Sequence, residues 1–148
     1  MAKIISKDTP LAEITLRKYE QPNNLSQREL VKKLCLSLGL LQPGDSRDVM
    51  VDVFLVLINN KEPLSSEKIN DLVIELRKKE NLQLKGIAGS NIRRQLKRLK
   101  DLFLIESVKN EYRVNENEPL INIFEDKIEK FYIKGILDRI KDYLRAVK

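Results

Sequence analysis

The sequence contains no histidine, and this absence restricts the chemistry that the chain can carry out. Catalytic groups of the Ser-His-Asp and Cys-His types need an imidazole base, and ordinary zinc sites need several histidine or cysteine ligands. Cys35 is the single cysteine, so an intrachain disulfide is excluded as well. We therefore expect no metal site, and we expect a protein of a reducing compartment.

Other signatures of enzymes and membrane proteins are also missing. The five glycines form neither a GxxxxGK[ST] loop nor a GxGxxG turn, which removes the usual phosphate-binding motifs. Acidic residues alternate with lysine and arginine, a pattern that favours solvated ion pairs over paired catalytic carboxylates. No apolar run approaches the ~18 residues of a membrane span, and no secretory signal is recognisable. We expect a cytoplasmic protein that is not an enzyme and needs no cofactor or membrane.

Positive charge is present in excess, and its position along the chain is informative. The formal net charge is +6, and charged residues make up 34% of the sequence. Residues 84–115 contain eight basic and only three acidic side chains, so this segment accounts for nearly all of the surplus. A local basic excess is the electrostatic signature of a surface that binds phosphate groups.

The first helix is predicted over residues 27–38. Ser26 and Glu29 have the spacing of a capping box, and apolar residues follow at helical intervals. Gly39 is placed to end this helix. Cys35 lies within the apolar stretch, where we interpret it as a small buried hydrophobic residue rather than a reactive thiol.

Two further helices are predicted before the basic segment. Asp45 or Ser46 can cap a strongly apolar helix that continues to about residue 59 and must be largely buried. Ser65 can cap another helix that extends to about residue 79, with one apolar and one charged face. A polar connector covers residues 80–89.

The basic segment begins with a helix predicted over residues 90–101, which Ser90 can cap. Ile92, Leu96 and Leu99 recur at helical intervals and form one narrow inward stripe. At 100° per residue, the opposite side carries Ser90, Arg94, Lys97, Arg98 and Asp101, with Arg93 and Lys100 at its flanks. Such a helix presents cations to solvent without burying their charge.

A hairpin and a long C-terminal helix complete the prediction. Alternating residues over 103–108 and a second extended run at 112–114 indicate a small β-hairpin. From Pro119 onward the pattern is helical to the end. Its apolar residues form two series that are out of phase: Ile121, Phe124, Ile128 and Phe131, then Ile133, Leu137, Ile140, Leu144 and Val147. A bend or break near Gly135 would reconcile them.

The order of helices, basic helix and hairpin resembles the winged helix-turn-helix superfamily, and the similarity is strongest in SNIRRQLKRLKDLFLIESVKNEYRV. This segment looks like the recognition helix, strand and wing of microbial, archaeal-type transcription regulators. The resemblance implies a mainly α fold with a small β-hairpin wing, followed here by a long C-terminal helix. The connector at 80–89 departs from the family pattern, because it is longer than the tight turn of the simplest members.

The same resemblance implies double-stranded DNA binding and a role in transcription regulation. The basic helix would enter the major groove, and the hairpin would lie beside the DNA backbone. The candidate DNA contacts are Ser90, Asn91, Arg93, Arg94, Lys97 and Arg98 on the helix, and Lys109, Asn110 and Arg113 on the wing. The alternative is that the same fold binds another protein of the transcription or replication machinery.

Duplex DNA is favoured over single strands because aromatic residues make up only 5% of the chain. Single-stranded modules stack bases on several aromatic rings. Tyr112 alternates with charged neighbours in a short strand, so we interpret it as a packed wing residue.

Three regions follow from these patterns. Residues 1–25 form an N-terminal arm, residues 26–115 form the winged-helix domain with its preceding helix, and residues 116–148 form the C-terminal helix. This last helix is amphipathic and has more apolar surface than a small domain needs to cover. We expect it to form a homodimer interface, with packing inside one chain as the alternative.

Overall fold

Helices make up most of the fold, and a small antiparallel sheet lies beside them. The computed structural model describes residue 8, residues 10–45 and residues 47–148. Its elements, in chain order, are α1 (Gln27–Ser37), α2 (Val49–Ile58), β1 (Leu64–Ser65), α3 (Ser66–Lys79), α4 (Gly89–Asp101), β2 (Ile105–Val108), β3 (Glu111–Val114), α5 (Leu120–Ile123), a π-helical segment (Phe124–Ile133) and α6 (Lys134–Val147). The mainly helical class, the hairpin and the long C-terminal helix agree with the prediction.

Helix α2 forms the centre of the core. Its residues from Val49 to Leu57 are all buried, and α1, α3, α4 and β3 pack around it. A helix that is apolar on every side is stable only where other elements surround it. The composition of α2 therefore dictates that the other elements enclose it.

Serine caps begin α1 and α3, as predicted. The Ser26 hydroxyl accepts a hydrogen bond from the Glu29 amide at 3.2 Å, and the Ser65 hydroxyl accepts one from the Lys68 amide at 3.1 Å. Each bond satisfies an amide that has no partner inside its own helix. Gly39 ends α1 with a φ of +75°, a conformation that glycine adopts at little cost.

The start of α2 differs from the prediction. Ser46, one of the two suggested caps, lies outside the described residues. Asp45, the other, accepts a hydrogen bond from the Gln42 amide at 2.8 Å and so closes the preceding turn instead. Asp48 occupies the capping position but makes no side-chain cap bond. Its carboxylate is engaged by two arginines from neighbouring helices.

These arginines join α1, α2 and α3 through a partly buried ion-pair network. Arg28 of α1 and Arg77 of α3 both donate to the carboxylates of Asp48 and Asp52. The Arg77 Nε also donates to the Gln83 carbonyl at 2.7 Å, which fixes the chain just after α3. Burial would raise the pKa of Asp48, but Arg77 and then Arg28 outweigh it and hold that pKa below its ordinary value. The network satisfies charges that would otherwise be costly to bury.

The sheet has three strands in the order β1-β3-β2, all antiparallel. The predicted hairpin is formed by β2 and β3, with Val108 opposite Glu111. Lys109 and Asn110 form its two-residue turn, and both have positive φ, as a type I′ turn requires. Strand β1 was not predicted, because two residues are too short to show an alternating pattern.

The C-terminal helix is continuous through Gly135, so the chain has no break there. Lys134 has α-helical angles (φ −60°, ψ −41°), and Gly135 lies inside α6. The buried positions of the C-terminal helix before Gly135 are Ile123 and Ile128, five residues apart, whereas Ile121 and Phe131 are 60% and 67% exposed, so the first predicted series does not form one buried face. The hydrogen bonds of the π-helical segment span five residues rather than four, so each turn contains more residues.

The N-terminal arm runs along α1 without helix or strand over residues 10–25. The Thr15 amide donates to the Ser37 carbonyl at 3.3 Å, and the Arg17 Nε donates to the Leu36 carbonyl at 3.0 Å. Ala12 packs against the hydrophobic core. The arm therefore covers the C-terminal end of α1.

Candidate nucleic-acid interface

Helix α4 is held in place by the apolar stripe that its sequence predicts. Ile92, Leu96 and Leu99 are completely buried, and they pack in the core that α2 and α3 share. Three buried side chains at this spacing fix the rotation of the helix about its axis. The opposite side of α4 is therefore directed to solvent.

The helix begins one residue earlier than expected, so Ser90 does not cap it. Ala88 is the capping residue, and its carbonyl accepts hydrogen bonds from the Asn91 amide at 2.9 Å and the Ile92 amide at 3.0 Å. No acidic side chain lies in the first turn of α4. Ser90 is exposed in that turn, where the helix dipole is positive and an anion is favoured.

Four cations of α4 are exposed: Arg93, Arg94, Lys97 and Lys100. Lys97 contacts Asp101 at 3.1 Å, one turn further along, but its side chain remains 74% exposed. Ion pairs of this exposed type contribute little free energy, so Lys97 can exchange Asp101 for another anion at small cost. The outer side of α4 thus carries positive charge that is not held by buried carboxylates.

Asn91 and Arg98, both expected to contact DNA, are engaged inside the molecule. The Asn91 amide nitrogen donates to the Gly86 carbonyl at 2.8 Å, and its oxygen accepts from Gln95 at 3.0 Å. Arg98 donates to the Gln95 oxygen at 3.0 Å and to the Gly39 carbonyl at 3.2 Å. These side chains form a polar row along one flank of α4, from the connector to the end of α1.

The polar row gives Gln95 a structural role that sequence reasoning missed. Gln95 links Asn91 to Arg98 and is buried, although it lies in a segment with many charged residues. Its spacing was a usable signal, because residues four before and three after it share its side of a helix. The rest of the row depends on Gly39, which is 59 residues away from Arg98 in the sequence and could not be found from a helical pattern.

The tip of the hairpin carries two of the three predicted wing residues. Lys109 and Asn110 are both exposed in the type I′ turn. A two-residue turn places the backbone of both residues at the tip of the hairpin, from which the Lys109 side chain extends into solvent. The connector adds an exposed Lys85, which was not among the expected sites.

Arg113, the third wing residue, is half-buried and paired across the hairpin. Its Nε donates to the Glu106 carboxylate at 2.7 Å. The Glu116 amide donates to the same carboxylate at 2.9 Å, and this bond, followed by the Arg113 interaction, lowers the pKa of Glu106 despite partial burial. Arg113 therefore stiffens the hairpin, and only part of its guanidinium is available to solvent.

Tyr112 and Cys35 both have the packing that the sequence indicated. Tyr112 is half-buried against the hydrophobic core, so its ring is not a free stacking surface. Cys35 is completely buried in α1, and this burial raises the pKa of its thiol to about 12, although Arg98 acts in the opposite direction. A thiol in this environment is unreactive.

Among the contacts described, the C-terminal segment touches α4 only near Asp101, the last residue of α4. The Tyr132 hydroxyl donates to the Asp101 carbonyl at 2.9 Å, and the Tyr132 ring stacks on Phe103 with centroids 5.9 Å apart. Arg93, Arg94 and Lys97 lie further toward the start of α4 and remain exposed. The outer side of α4 is thus left open.

Comparison with known proteins identifies no relative of this chain. No protein-family model matches the chain, and no curated protein or solved structure matches it either. Within the described part of the chain, no helix combines the length and the apolar character needed to cross a membrane.

Proposed function

We propose that this chain is a winged helix-turn-helix protein that binds double-stranded DNA in the cytoplasm and regulates transcription. Helix α4 would enter the major groove, and the β2–β3 hairpin would lie along the backbone as the wing. The observation that carries the proposal is the arrangement of α4. One side is anchored by three completely buried apolar residues, while the other exposes four cations.

The order of elements supports the same proposal. A buried helix, a short strand, a second helix, the basic helix and a hairpin follow one another, and the short strand β1 completes the hairpin sheet. This is the element order of winged-helix domains. The two-residue turn at Lys109 and Asn110 suits a wing, because it exposes a cation and an amide at the tip of the hairpin, and both groups can contact the DNA backbone.

The nine predicted contact residues divide into two groups with different roles in this proposal. The exposed side chains of Ser90, Arg93, Arg94, Lys97, Lys109 and Asn110 would touch DNA. The engaged side chains of Asn91, Arg98 and Arg113 would orient the helix and the hairpin. Phosphate contacts made by the first group would provide most of the affinity and its salt dependence.

A salt titration with matched variants tests this proposal. Replacing Arg94 and Lys97 by alanine should weaken binding to random duplex DNA and lower the slope of log K against log salt by about one per lost phosphate contact. The control is Lys78→Ala with Lys79→Ala, which removes two exposed cations from the end of α3. An equal loss in both double variants would contradict the assignment of the surface to α4.

A protein-binding module is the other candidate function, and the wild-type titration separates it. Such a module has no reason to bind duplex DNA with a salt-dependent affinity. If the wild-type chain shows no binding at low salt, the DNA proposal is wrong.

A further inference from the structure

Helix α6 exposes a long apolar stripe. It has no buried residue, and six large apolar side chains on it are between 41% and 80% exposed: Ile136, Leu137, Ile140, Tyr143, Leu144 and Val147. Scattered exposed apolar residues are common, but a contiguous patch of several hundred Å² on a monomer usually marks an interaction surface. This helix is long enough to offer one continuous edge of ~20 Å.

The spacing of the stripe identifies the kind of partner. Leu137, Ile140, Leu144 and Val147 are separated by three, four and three residues, and Ile133 precedes Leu137 by four. Alternating steps of three and four give a repeat of 3.5 residues, which is the seam of a coiled coil. Ile136 and Tyr143 widen this seam on one side, and the charges beside it bear on how a partner helix would align.

We propose that α6 pairs in parallel with α6 of a second copy of this chain. In this pairing Leu137 and Leu144 occupy the a positions of the heptad, and Ile140 and Val147 occupy the d positions. The residues that flank this seam on its two sides differ in character. One flank, the e positions, carries Lys134, Lys141 and Lys148, and the other flank, the g positions, carries Ile136 and Tyr143.

The two flanks favour the parallel alignment. In an antiparallel pair, like flanks face each other, so the three lysines of one copy would lie against the three lysines of the other. In a parallel pair, each lysine flank faces the apolar flank of the other helix. Lys141 then lies over Ile136 of the second copy, and Lys148 over its Tyr143. Lysine stems can cover such apolar side chains while their ammonium groups stay in water.

The described residues of the N-terminal arm lie beside this seam. Arg139 donates to Asp8 at 2.7 Å, and Pro10 and Leu11 line a cavity together with Gly135 and Ile136. Arg139 and Gly135 occupy the c and f positions, and Ile136 is a g residue at the edge of the seam. No a or d residue lines this cavity, so arm packing by the described residues and helix pairing are compatible.

The pairing should be concentration-dependent, because two heptads form only a short coiled coil. Leucine at a with isoleucine at d shifts the preference toward parallel bundles of three or four helices, which keep the same alignment of neighbouring copies. Sedimentation equilibrium over a dilution series should show a mass that rises to twice the chain mass or above. Leu144→Glu should abolish this rise, whereas Ala146→Glu adds the same charge outside the seam and should preserve it.

Single cysteines test the alignment. Val147→Cys places a thiol at a d position, which faces itself only in a parallel pair, so mild oxidation should link two chains. Asp142→Cys, at the outer f position, should not be linked, and buried Cys35 provides no competing thiol. Linkage through Ile140→Cys but not through Val147→Cys would show an antiparallel pair and overturn the proposal.

Anionic vesicles test whether a membrane surface, rather than a second helix, covers the apolar stripe of α6. A chain that stays monomeric at every concentration overturns the proposal outright. If the same monomer binds vesicles of phosphatidylserine and phosphatidylcholine, and Leu144→Glu abolishes that binding, the stripe is a membrane-surface site instead. These measurements contain no DNA, so their outcome is independent of the proposed function.

Discussion

The Arg98 guanidinium donates to the Gly39 carbonyl oxygen at a distance of 3.2 Å. This bond joins the end of α4 to the glycine that ends α1. It also brings Arg98 onto the flank of α4 rather than its exposed side, beside Gln95 and Asn91. The most basic helix of the chain is thus oriented by one of its own arginines.

Arg98 and Arg94 should respond differently to the same substitution. Arg98→Ala should lower the free energy of unfolding by about 1–2 kcal/mol, because hydrogen bonds from a half-buried charged group are lost. Arg94→Ala should leave stability unchanged and reduce the salt slope of DNA binding by about one. Urea unfolding and fluorescence anisotropy measure the two effects. Equal loss of stability in both variants would contradict the internal role of Arg98.

Removal of Asp52, the fully buried carboxylate of the ion-pair network, should lower the free energy of unfolding substantially. Asp52→Ala removes the fully buried carboxylate that Arg28 and Arg77 share and leaves them only Asp48, and Arg77 is 3% exposed. We expect a loss of about 3 kcal/mol, the low end for breaking a buried ion pair, since Asp48 still balances part of the Arg77 charge. Urea unfolding measures it. Asp142→Ala removes a carboxylate from an exposed pair with Arg145 and should cause no measurable change.

Stability should fall in acid partly through Asp48. Its pKa is lower in the folded chain than in the unfolded chain, so its ionised form stabilises the fold. This contribution is complete above about pH 4, the ordinary range of an aspartate, and it is lost as the pH falls toward the lowered value. The unfolding temperature should therefore fall less steeply from neutral to acid pH in Asp48→Asn than in the wild-type chain. An identical decline in both proteins would count against the network.

Alanine substitutions at Gly39 and Gly44 test how closely the arm packs against the end of α1. Both glycines have positive φ, +75° and +83°, so alanine is strained at either position. A Cβ at Gly39 would also lie 2.1 Å from the Glu13 carbonyl oxygen, whereas one at Gly44 would meet nothing within 4 Å. Gly39→Ala should therefore lower stability clearly more than Gly44→Ala, which should cost about 1 kcal/mol. Thermal unfolding of both variants measures the difference.

Local features of the fold were predictable because short stretches of sequence determine them. Ser26 and Ser65 each cap a helix through an amide three residues away. The stripe of Ile92, Leu96 and Leu99 depends only on helical spacing. In each case the interacting groups lie within about two helical turns.

Features that depend on distant segments were not predictable in the same way. A helical wheel placed Arg98 on the exposed side of α4. A wheel contains no information about the end of α1, whose Gly39 approaches this flank. Strand β1 exists only because β3 lies beside Leu64 and Ser65. For the C-terminal helix the sequence predicted a bend or a break near Gly135, whereas the structure has π-helical turns over Phe124–Ile133.

Short-range patterns of residues specify the helices, the hairpin, the buried apolar stripes and the positive segment at 84–115, because period, capping and charge are properties of neighbouring residues. Which cations of that segment remain exposed, and which bond to other parts of the chain as Arg98 and Arg113 do, depends on how the elements pack in three dimensions. A side chain's partner depends on which backbone packs next to it. That packing follows from burying α2 on all sides, which is a property of the whole fold.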